Sequence, residues 1–588
     1  MRTSFLQSLY LQRPVTLMIL LCALTVLPWI GLGEFSTKGE PREAAVAISM
    51  METGNYILPK TYAEEFAYKP PMAHWLMAVF SLPQGHVSEF TARLPSALAF
   101  ITMIGFILGF FGKRIEKFQI PIIAAFLLIT CIEIHRAAMT TRVDMLLTSF
   151  MVIGLIQLFR WEEMLELKGL PIAIPILLGC AVLTKGPVGL ILPLFVFFVY
   201  LLILGKYRFW RIVKALFYIT ISSLFLPMIW YVAAWQQGGE DFLEVVLAEN
   251  FGRFFSMDTP DIHYELGHER PIYYNFTTLI AGFIPWTFIV FFSLFGLKIR
   301  KPEKSFKQIL ADCWQKIRSM EKVYLFSLAV VVCVLFFYSI PASKRSVYLM
   351  PAYPFIALFL AQYILYLAEY RTKVTRIFAA FMASVTAIAL VALLLTAFGV
   401  IDPVALTARF TPRTDIHHTV STIAGLFTSP DLLTIVILLS VATSLGVVCY
   451  QMFRKINLKI LYATIGLMIC IHFMIDGIIM RGERMSNSSR PFAEKIMNEF
   501  PLNKKNIYVT NDLREYTNLY GMNFYMGNIF HNFETVQPGA GYFLSTESDL
   551  KKIELKYGDT YVFQPLAITP DRNKEVRRKI VLSSFERR

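Results

Sequence analysis

Long apolar runs alternate with short polar connections along most of this chain, and that pattern predicts a bundle of membrane-crossing helices. Crossing ~30 Å of hydrocarbon takes about 20 apolar residues. Thirteen runs approach or reach that length: 15–33, 89–112, 119–134, 144–160, 171–185, 187–205, 212–234, 273–297, 323–340, 348–368, 377–399, 431–452 and 460–480. Those at 119–134 and 171–185 are the shortest. Three stretches interrupt the pattern: 34–88, 235–272 and a polar tail, 482–588. The expected organisation is a polytopic α-helical membrane domain over 1–481, with large loops at 34–88 and 235–272, followed by a soluble domain over 482–588. In the tail, Asn506-Ile507-Tyr508-Val509 reads as strand, the piece from Asp512 to Tyr520 as helix, and Phe524-Tyr525-Met526 runs into a glycine. These alternating pieces fit a small α/β domain of ordinary size.

Charge orients the bundle. Lys113, Arg114 and Lys117, then Lys206, Arg208, Arg211 and Lys214, then the basic stretch from Lys298 to Lys322, then Arg371, Lys373 and Arg376, and last Arg454, Lys455 and Lys459 fall on alternate loops. The positive-inside rule assigns them, with Arg2 and Arg13, to the cytoplasm. The three non-spanning stretches then lie outside. The first run ends in the bulky Leu27-Pro28-Trp29-Ile30, with no small-residue cleavage site, and is expected to stay as an anchor. Composition agrees. With 56% hydrophobic and 17% charged residues, against about 25% charged in ordinary domains, a soluble enzyme is excluded. The formal net charge of +14 reflects the loops and calls for no nucleic acid. Seven cysteines, six in or beside apolar runs, show no metal-ligand spacing and read as packing residues.

Polar residues at the outer ends of the spans carry the candidate chemistry. In the first loop, Pro41 suits a helix start and Gly54 its end, while Ala44, Ala45, Ile48 and Met51 recur at helical spacing. This predicts an amphipathic helix on the membrane surface, with a second interfacial helix over Met72 to Leu82. Glu40 and Glu43 open the first helix, where unpaired N–H groups favour ionised acids. An ionised carboxylate can deprotonate or orient an acceptor, or it can simply serve the helix end. Arg42 and Lys69 suit either a substrate phosphate or lipid headgroups.

Asp144 stands at the outer end of a span, where an acid needs a partner or a cavity; at a helix centre it costs roughly 2.5–3.5 kcal/mol. Arg142 is one candidate partner. Lys185 precedes Gly186-Pro187 in a short hairpin, a placement that suits anion binding. Lys344 and Arg345, just before Tyr348, defy the positive-inside trend and so point to a phosphate. His268 in Gly267-His268-Glu269-Arg270-Pro271 is one histidine, which alone does not make a metal site. Together these residues suit a substrate with an apolar tail and a phosphate head. Fixed Arg and Lys stabilise a departing phosphate, and a carboxylate aims the nucleophile.

The runs Gly39-Glu40-Pro41-Arg42-Glu43-Ala44, Glu52-Thr53-Gly54-Asn55-Tyr56-Ile57-Leu58-Pro59, Tyr68-Lys69-Pro70-Pro71, Ser88-Glu89-Phe90-Thr91-Ala92-Arg93-Leu94-Pro95, Arg142-Val143-Asp144, Thr184-Lys185-Gly186-Pro187 and Lys344-Arg345-Ser346-Val347-Tyr348 resemble the aminoarabinose (lipid A) transferase family. That family falls within the protein O-mannosyltransferase-like GT-C glycosyltransferases. The resemblance implies a GT-C fold of about thirteen spans with a periplasmic domain. It also implies transfer of a sugar, 4-amino-4-deoxy-L-arabinose or a related one, from a polyprenyl-phosphate donor to lipid A or a similar envelope acceptor. The place would be the periplasmic face of a bacterial inner membrane. Family roles carry to Glu40, Arg42, Lys69, Asp144, Lys185 and Tyr348.

The expected site therefore has Glu40 and Asp144 as catalytic acids, and Arg42, Lys69, Arg142, Lys185, Lys344, Arg345 and Tyr348 around the donor phosphate. The one cofactor implied is a divalent metal at His268. Two departures stand out. Gly39 replaces the first acid of the family's Asp-Glu pair, and Tyr68 replaces the acid that shares the metal. Two alternatives remain at this point, a protein O-glycosyltransferase and an anionic-lipid transporter. A transporter would call for repeat symmetry and broken spans.

Overall fold

The computed structural model describes residues 13–37, 39–62, 67, 69–247, 269–295, 304–510, 519–573 and 575–588. Sequence readings that fall on Arg2, Tyr68, His268, Lys298 and most of the 512–520 piece lie outside these residues, as does the middle of the second loop. The first span, α1 (Pro14–Val26), is followed by two loop helices, α2 (Gly39–Thr53) and α3 (Met72–Ser81). Then come α4 (Glu89–Phe111), the bent pair α5 (Gln119–Thr130) and α6 (Ile132–Ala138), α7 (Val143–Leu165), α8 (Ala173–Lys185), α9 (Val188–Leu204) and α10 (Phe209–Leu247). A second bent pair, α11 (Tyr274–Gly282) and α12 (Trp286–Leu294), leads to an exposed amphipathic helix, α13 (Phe306–Arg318).

The remaining spans are α14 (Lys322–Ser339), α15 (Tyr353–Tyr370) behind a 3-10 turn (Ser346–Ala352), and α16 (Thr372–Ala397). Short helices α17 (Pro403–Ala408) and α18 (Thr414–Thr428) precede α19 (Leu432–Arg454) and α20 (Asn457–Met474). The last span continues through a π-helical turn (Ile475–Ile479) into α21 (Met480–Asn487). Among the described residues, eight helical stretches are long and apolar enough to cross a membrane alone. Two bent pairs and the shorter α1, α8 and α9 complete the thirteen expected runs. The short run at 119–134 proves to be broken, turning 66° at Cys131. The cysteines are unpaired, and Cys313 and Cys449 are exposed where packing was expected.

α7 measures the bundle. Asp144 sits in its first turn, and Glu162, Glu163 and Glu166 stand around its far end, about 27 Å away at 1.5 Å per residue. Those far acids collect the cations of the loops assigned to one side by charge. Arg114 pairs with Glu163, Lys322 reaches Glu162 at 3.3 Å, and Lys206 reaches Glu166 at 2.8 Å. The basic loops and Asp144 thus occupy opposite ends of the same helix.

The first loop departs from expectation. α2 is not a surface helix, since Glu40, Glu43, Ala44, Ala47 and Met50 are all buried. The chain's tail covers it. That tail forms α22 (Arg490–Glu499), β1 (Ile507–Val509), α23 (Tyr520–Tyr525), β2 (His531–Asn532), α24 (Phe533–Val536), β3 (Ala540–Thr546), α25 (Glu547–Tyr557), β4 (Tyr561–Ile568) and β5 (Ile580–Arg587). The sheet has five strands in the order β2-β1-β3-β5-β4. β1 is parallel to both its neighbours, with Tyr508 opposite Phe543, and β5 is antiparallel to β3 and β4. Phe533, Phe543, Phe563 and Phe585 fill one of its faces. Tyr525 fastens the tail down: its hydroxyl donates to Glu89 Oε1 at 3.0 Å and accepts from the Phe35 N–H at 2.7 Å. Asn528 Nδ2 donates to Glu52 Oε2 at 2.9 Å.

Arg93, fully buried in α4, ties the loop to the bundle from below. Its Nε and Nη2 donate to the Glu40 carboxylate at 2.9 and 3.3 Å. Nη1 donates to the carbonyls of Ile30 and Gly33, and Nη2 also to that of Glu34. All five donors of the guanidinium are used. Losing one member of such a buried pair costs about 3–5 kcal/mol, so Arg93→Ala is expected to lower the apparent Tm in detergent markedly. Arg93→Lys should not restore it, because an ammonium cannot reproduce the planar fork. Arg413→Ala, at a side chain 63% exposed, should leave the apparent Tm unchanged; equal losses at both positions would refute the tie.

Candidate active site

The turn between α8 and α9 shows how the sequence builds the site. Lys185 ends α8, and Gly186 follows at φ +85°, ψ −161°, a conformation that needs the absence of a Cβ. Gly189 then lets α9 press against α8, for a Cβ there would meet the Ala181 carbonyl carbon at 2.4 Å. So placed, Lys185 donates from Nζ to Asp144 Oδ1. The same ammonium lies 4.5 Å from the centroid of the Tyr348 ring, within cation–π range. Tyr348, in the 3-10 turn, stacks on Tyr338 with centroids 5.2 Å apart.

Lys185, not Arg142, is therefore the hydrogen-bonded partner of Asp144. Arg142 stands nearby as an electrostatic neighbour of Asp144. Its Nη2 lies 3.4 Å from where a Cβ on Gly39 would stand. Arg345 interacts electrostatically with Lys185, and its Nε is buried with no hydrogen-bond partner among the described residues. An unmet buried donor costs about 1–3 kcal/mol. It is open to an acceptor from a ligand.

The second half of the site centres on Glu43. Lys69 donates from Nζ to Glu43 Oε1, His74 Nε2 lies 2.9 Å from Oε2, and Arg42 Nη2 lies 3.4 Å from Oε1. Lys69 also acts electrostatically on Asp144, which joins the halves into one cluster. Arg42, Lys69, Arg142, Asp144, Lys185, Arg345 and Tyr348 are thus brought together from loop, span and turn. Burial pushes the Glu43 carboxyl up, but Lys69, His74 and Arg42 outweigh it and hold the group well below the ordinary carboxylate range. Glu40 is likewise lowered, with Arg93 overcoming burial. Both acids are ionised, as expected, and the paired cations supply the cause.

Two expected site residues belong elsewhere. Glu40 is 3% exposed, and both its oxygens are taken by Arg93, with the Thr141 N–H on Oε1 at 3.1 Å. A carboxylate so enclosed has no free face for a substrate, so its part is to anchor the loop. Lys344 is 5% exposed. It donates to the carbonyls of Pro341 at 2.6 Å and Arg270 at 3.1 Å, pinning the end of the second loop to the strand-like bridge between Glu269 and Ser343. Those backbone bonds occupy the ammonium and remove it from the phosphate ligands. His268 lies outside the described residues.

Sequence reasoning missed His74 and Arg93 and gave Glu43 a minor place. Arg93 and His74 both interrupt apolar helices, and the rule that singled out Asp144, a polar group in an apolar run, would have found them. The choice between Glu40 and Glu43 carries no such signal. Because the folded Glu43 lies below its unfolded value, its ionisation stabilises the protein above pH about 4.3. That contribution fades only as the pH falls through the lowered folded value. Glu43→Gln should lower the apparent Tm at pH 7, with a gap to the parent that stays constant down to about pH 4.5 and narrows only below it. A gap that closes near pH 6 would contradict this account.

The model of the dolichyl-phosphate-mannose-protein mannosyltransferase family matches residues 68–235, a stretch holding Lys69, Asp144 and Lys185. An uncharacterised protein of Aquifex aeolicus is 27% identical over 355 residues, 59% of this chain and 63% of its own. The undecaprenyl phosphate-alpha-4-amino-4-deoxy-L-arabinose arabinosyl transferase of Enterobacter sp. (strain 638) is 22% identical over 353 residues, 59% of each chain. The aligned part of the chain spans about three-fifths of the length of these curated relatives. Among solved structures, ArnT from Cupriavidus metallidurans bound to undecaprenyl phosphate superposes with a TM-score of 0.66 at 17% identity, covering 97% of both chains. The chain is a multi-pass membrane protein that shares the fold of this GT-C structure, and its sequence is similar to those of the aminoarabinose transferases.

Proposed function

We propose that this protein is a membrane glycosyltransferase that moves a sugar, 4-amino-4-deoxy-L-arabinose or a close relative, from a polyprenyl-phosphate donor to lipid A or a similar anionic glycolipid. The observation that carries the reading is that Lys69, Lys185 and the unmet donor of Arg345 gather around Asp144 at one end of the membrane bundle. Asp144 heads α7, and Leu146, Phe150 and Ile153 of the same helix line a groove of about 560 Å³ with Phe80 of α3 and Leu98 and Phe106 of α4. From Leu146 to Gln157 the groove follows α7 for about 16 Å. An isoprenoid chain suits an apolar lining of this kind, and Lys185, Lys69, Arg142 and Arg345 suit its phosphate.

The chemistry follows from that placement. The bond from the sugar's anomeric carbon to the phosphate oxygen breaks, the phosphate keeps the electron pair, and the acceptor oxygen attacks from the opposite face. Charge grows on the leaving phosphate, and cations already fixed there stabilise it without reorganising. The activity of the similar arabinosyl transferases and the undecaprenyl phosphate bound to ArnT support this donor class. A phosphate acceptor is already an anion and needs no base; Asp144 and Glu43 then orient the sugar and its amine. A hydroxyl acceptor would require one of them as base. In this reading residues 1–481 are the catalytic membrane domain and 482–588 a covering domain. The site lies at the end of α7 away from the basic loops, which is the periplasmic side of an inner membrane by the positive-inside rule.

Purified protein in detergent, given radiolabelled undecaprenyl-phosphate-aminoarabinose and lipid A, should transfer label to the lipid. Lys185→Ala, Lys69→Ala and Asp144→Asn should each lower kcat/KM by about 10²–10³-fold. Label passing to a peptide Ser or Thr instead would reassign the acceptor. Parent protein that releases no sugar, or variants with full activity, would overturn the proposal.

A further inference from the structure

Away from the proposed transfer site, three polar side chains meet inside apolar packing. His135 on α6, His472 on α20 and Asp476 in the π-helical turn are 3%, 7% and 4% exposed. One ligand-type atom from each lies within 4.8 Å of the other two. The two imidazole centroids are 4.1 Å apart. His472 and Asp476 are four residues apart and share a helix face, and single π turns of this kind recur at functional sites.

The hydrogen bonds settle which ring nitrogens are open. His135 Nδ1 lies 3.1 Å from the Ile129 carbonyl oxygen, and His472 Nε2 lies 3.0 Å from that of Thr130. A carbonyl only accepts, so both of these nitrogens carry protons, and in a neutral ring the other nitrogen is a lone pair. For His135 that is Nε2, 2.6 Å from Asp476 Oδ2. For His472 it is Nδ1, buried with no hydrogen-bond partner among the described residues. The carbonyls are available because α5 stops at Thr130, where the chain turns 66° into α6 and the last carbonyls of the helix lose their intrahelical partners. Backbone carbonyls that hold the outer N–H of an imidazole are the usual second support of a metal-binding histidine.

A proton shared between His135 Nε2 and Asp476 Oδ2 would explain that one contact, but it leaves the His472 lone pair facing nothing. A cation satisfies all three groups. We propose that His135, His472 and Asp476 bind one divalent transition-metal ion, zinc or a cation of similar borderline softness, through two imidazoles and a carboxylate. Zinc–nitrogen bonds of about 2.0–2.1 Å hold neighbouring ligand atoms about 3.3 Å apart, so the three side chains draw together modestly around it. The ion joins α6 to the last span. α6 leads directly into Arg142 and Asp144, so the ion positions that segment without touching substrate. This site is separate from the one that the family resemblance would put at His268.

The test uses the full-length protein in detergent, incubated with zinc and desalted. One zinc per chain is expected by mass spectrometry of the metal, and X-ray absorption at the zinc edge should show scattering from two imidazoles. His472→Gln keeps a donor for the Thr130 carbonyl while removing the lone pair, and Asp476→Asn removes the charge. Both variants, eluting as monodisperse folded protein, should lose the zinc, whereas His268→Ala should keep it. Should neither variant fold, the absorption spectrum of the unmutated protein decides, and a shell without imidazole overturns the site. A metal content far below one per chain, zinc kept by both variants, or zinc lost only in His268→Ala would also overturn it. None of these readouts depends on transferase activity.

Discussion

A charge that leaves water inside a helical bundle must meet its opposite, and the outer end of this protein is organised by that requirement. Opposite charges meet there within or beside apolar packing: Arg93 on Glu40, Lys69 and Arg42 on Glu43, Lys185 on Asp144, with Arg142 close by. Apart from the neighbours Arg42 and Glu43, each pair joins parts of the chain that are far apart in sequence. Desolvation is large for each ion, so the loop cannot detach from the spans without exposing unpaired charge to a low dielectric. The geometry of the candidate site is a consequence of this electrostatic closure.

Two kinds of ion pair are present, and the difference separates scaffold from site. Arg93 and Glu40 satisfy each other and the surrounding backbone completely, leaving no donor or acceptor to spare. The Lys185 and Lys69 side chains are 25% and 22% exposed. Lys185 also meets a tyrosine face, and Arg345 keeps an unmet donor beside it. The unmet Arg345 donor in a partly open place is what an anionic ligand completes. On another face of α7, Leu146, Phe150 and Ile153 line an apolar groove.

The tail contributes by covering. Through Tyr525 and Asn528 it presses on the first loop from outside while Arg93 holds it from inside. α2 therefore has little open polar face, although its sequence alternates as a surface helix would. Its carboxylates are kept ionised by neighbours from α3 and α4 as well as by their place at a helix start.

What the sequence by itself determined follows from short-range physics. The thirteen apolar runs were legible because hydrocarbon thickness imposes a length on such segments, and the loop charges marked which helix ends belong together. Asp144, Lys185, Lys69 and Arg42 were legible because an ion beside a membrane span demands a reason. What only the tertiary structure decided was pairing. Whether Glu40 or Glu43 faces the cluster, whether Arg142 or Lys185 holds Asp144, whether Lys344 meets phosphate or backbone, and how His135 reaches a helix more than three hundred residues later all depend on which distant side chain arrives. Ion pairing is a contact between two positions, and no local pattern around either one records the partner.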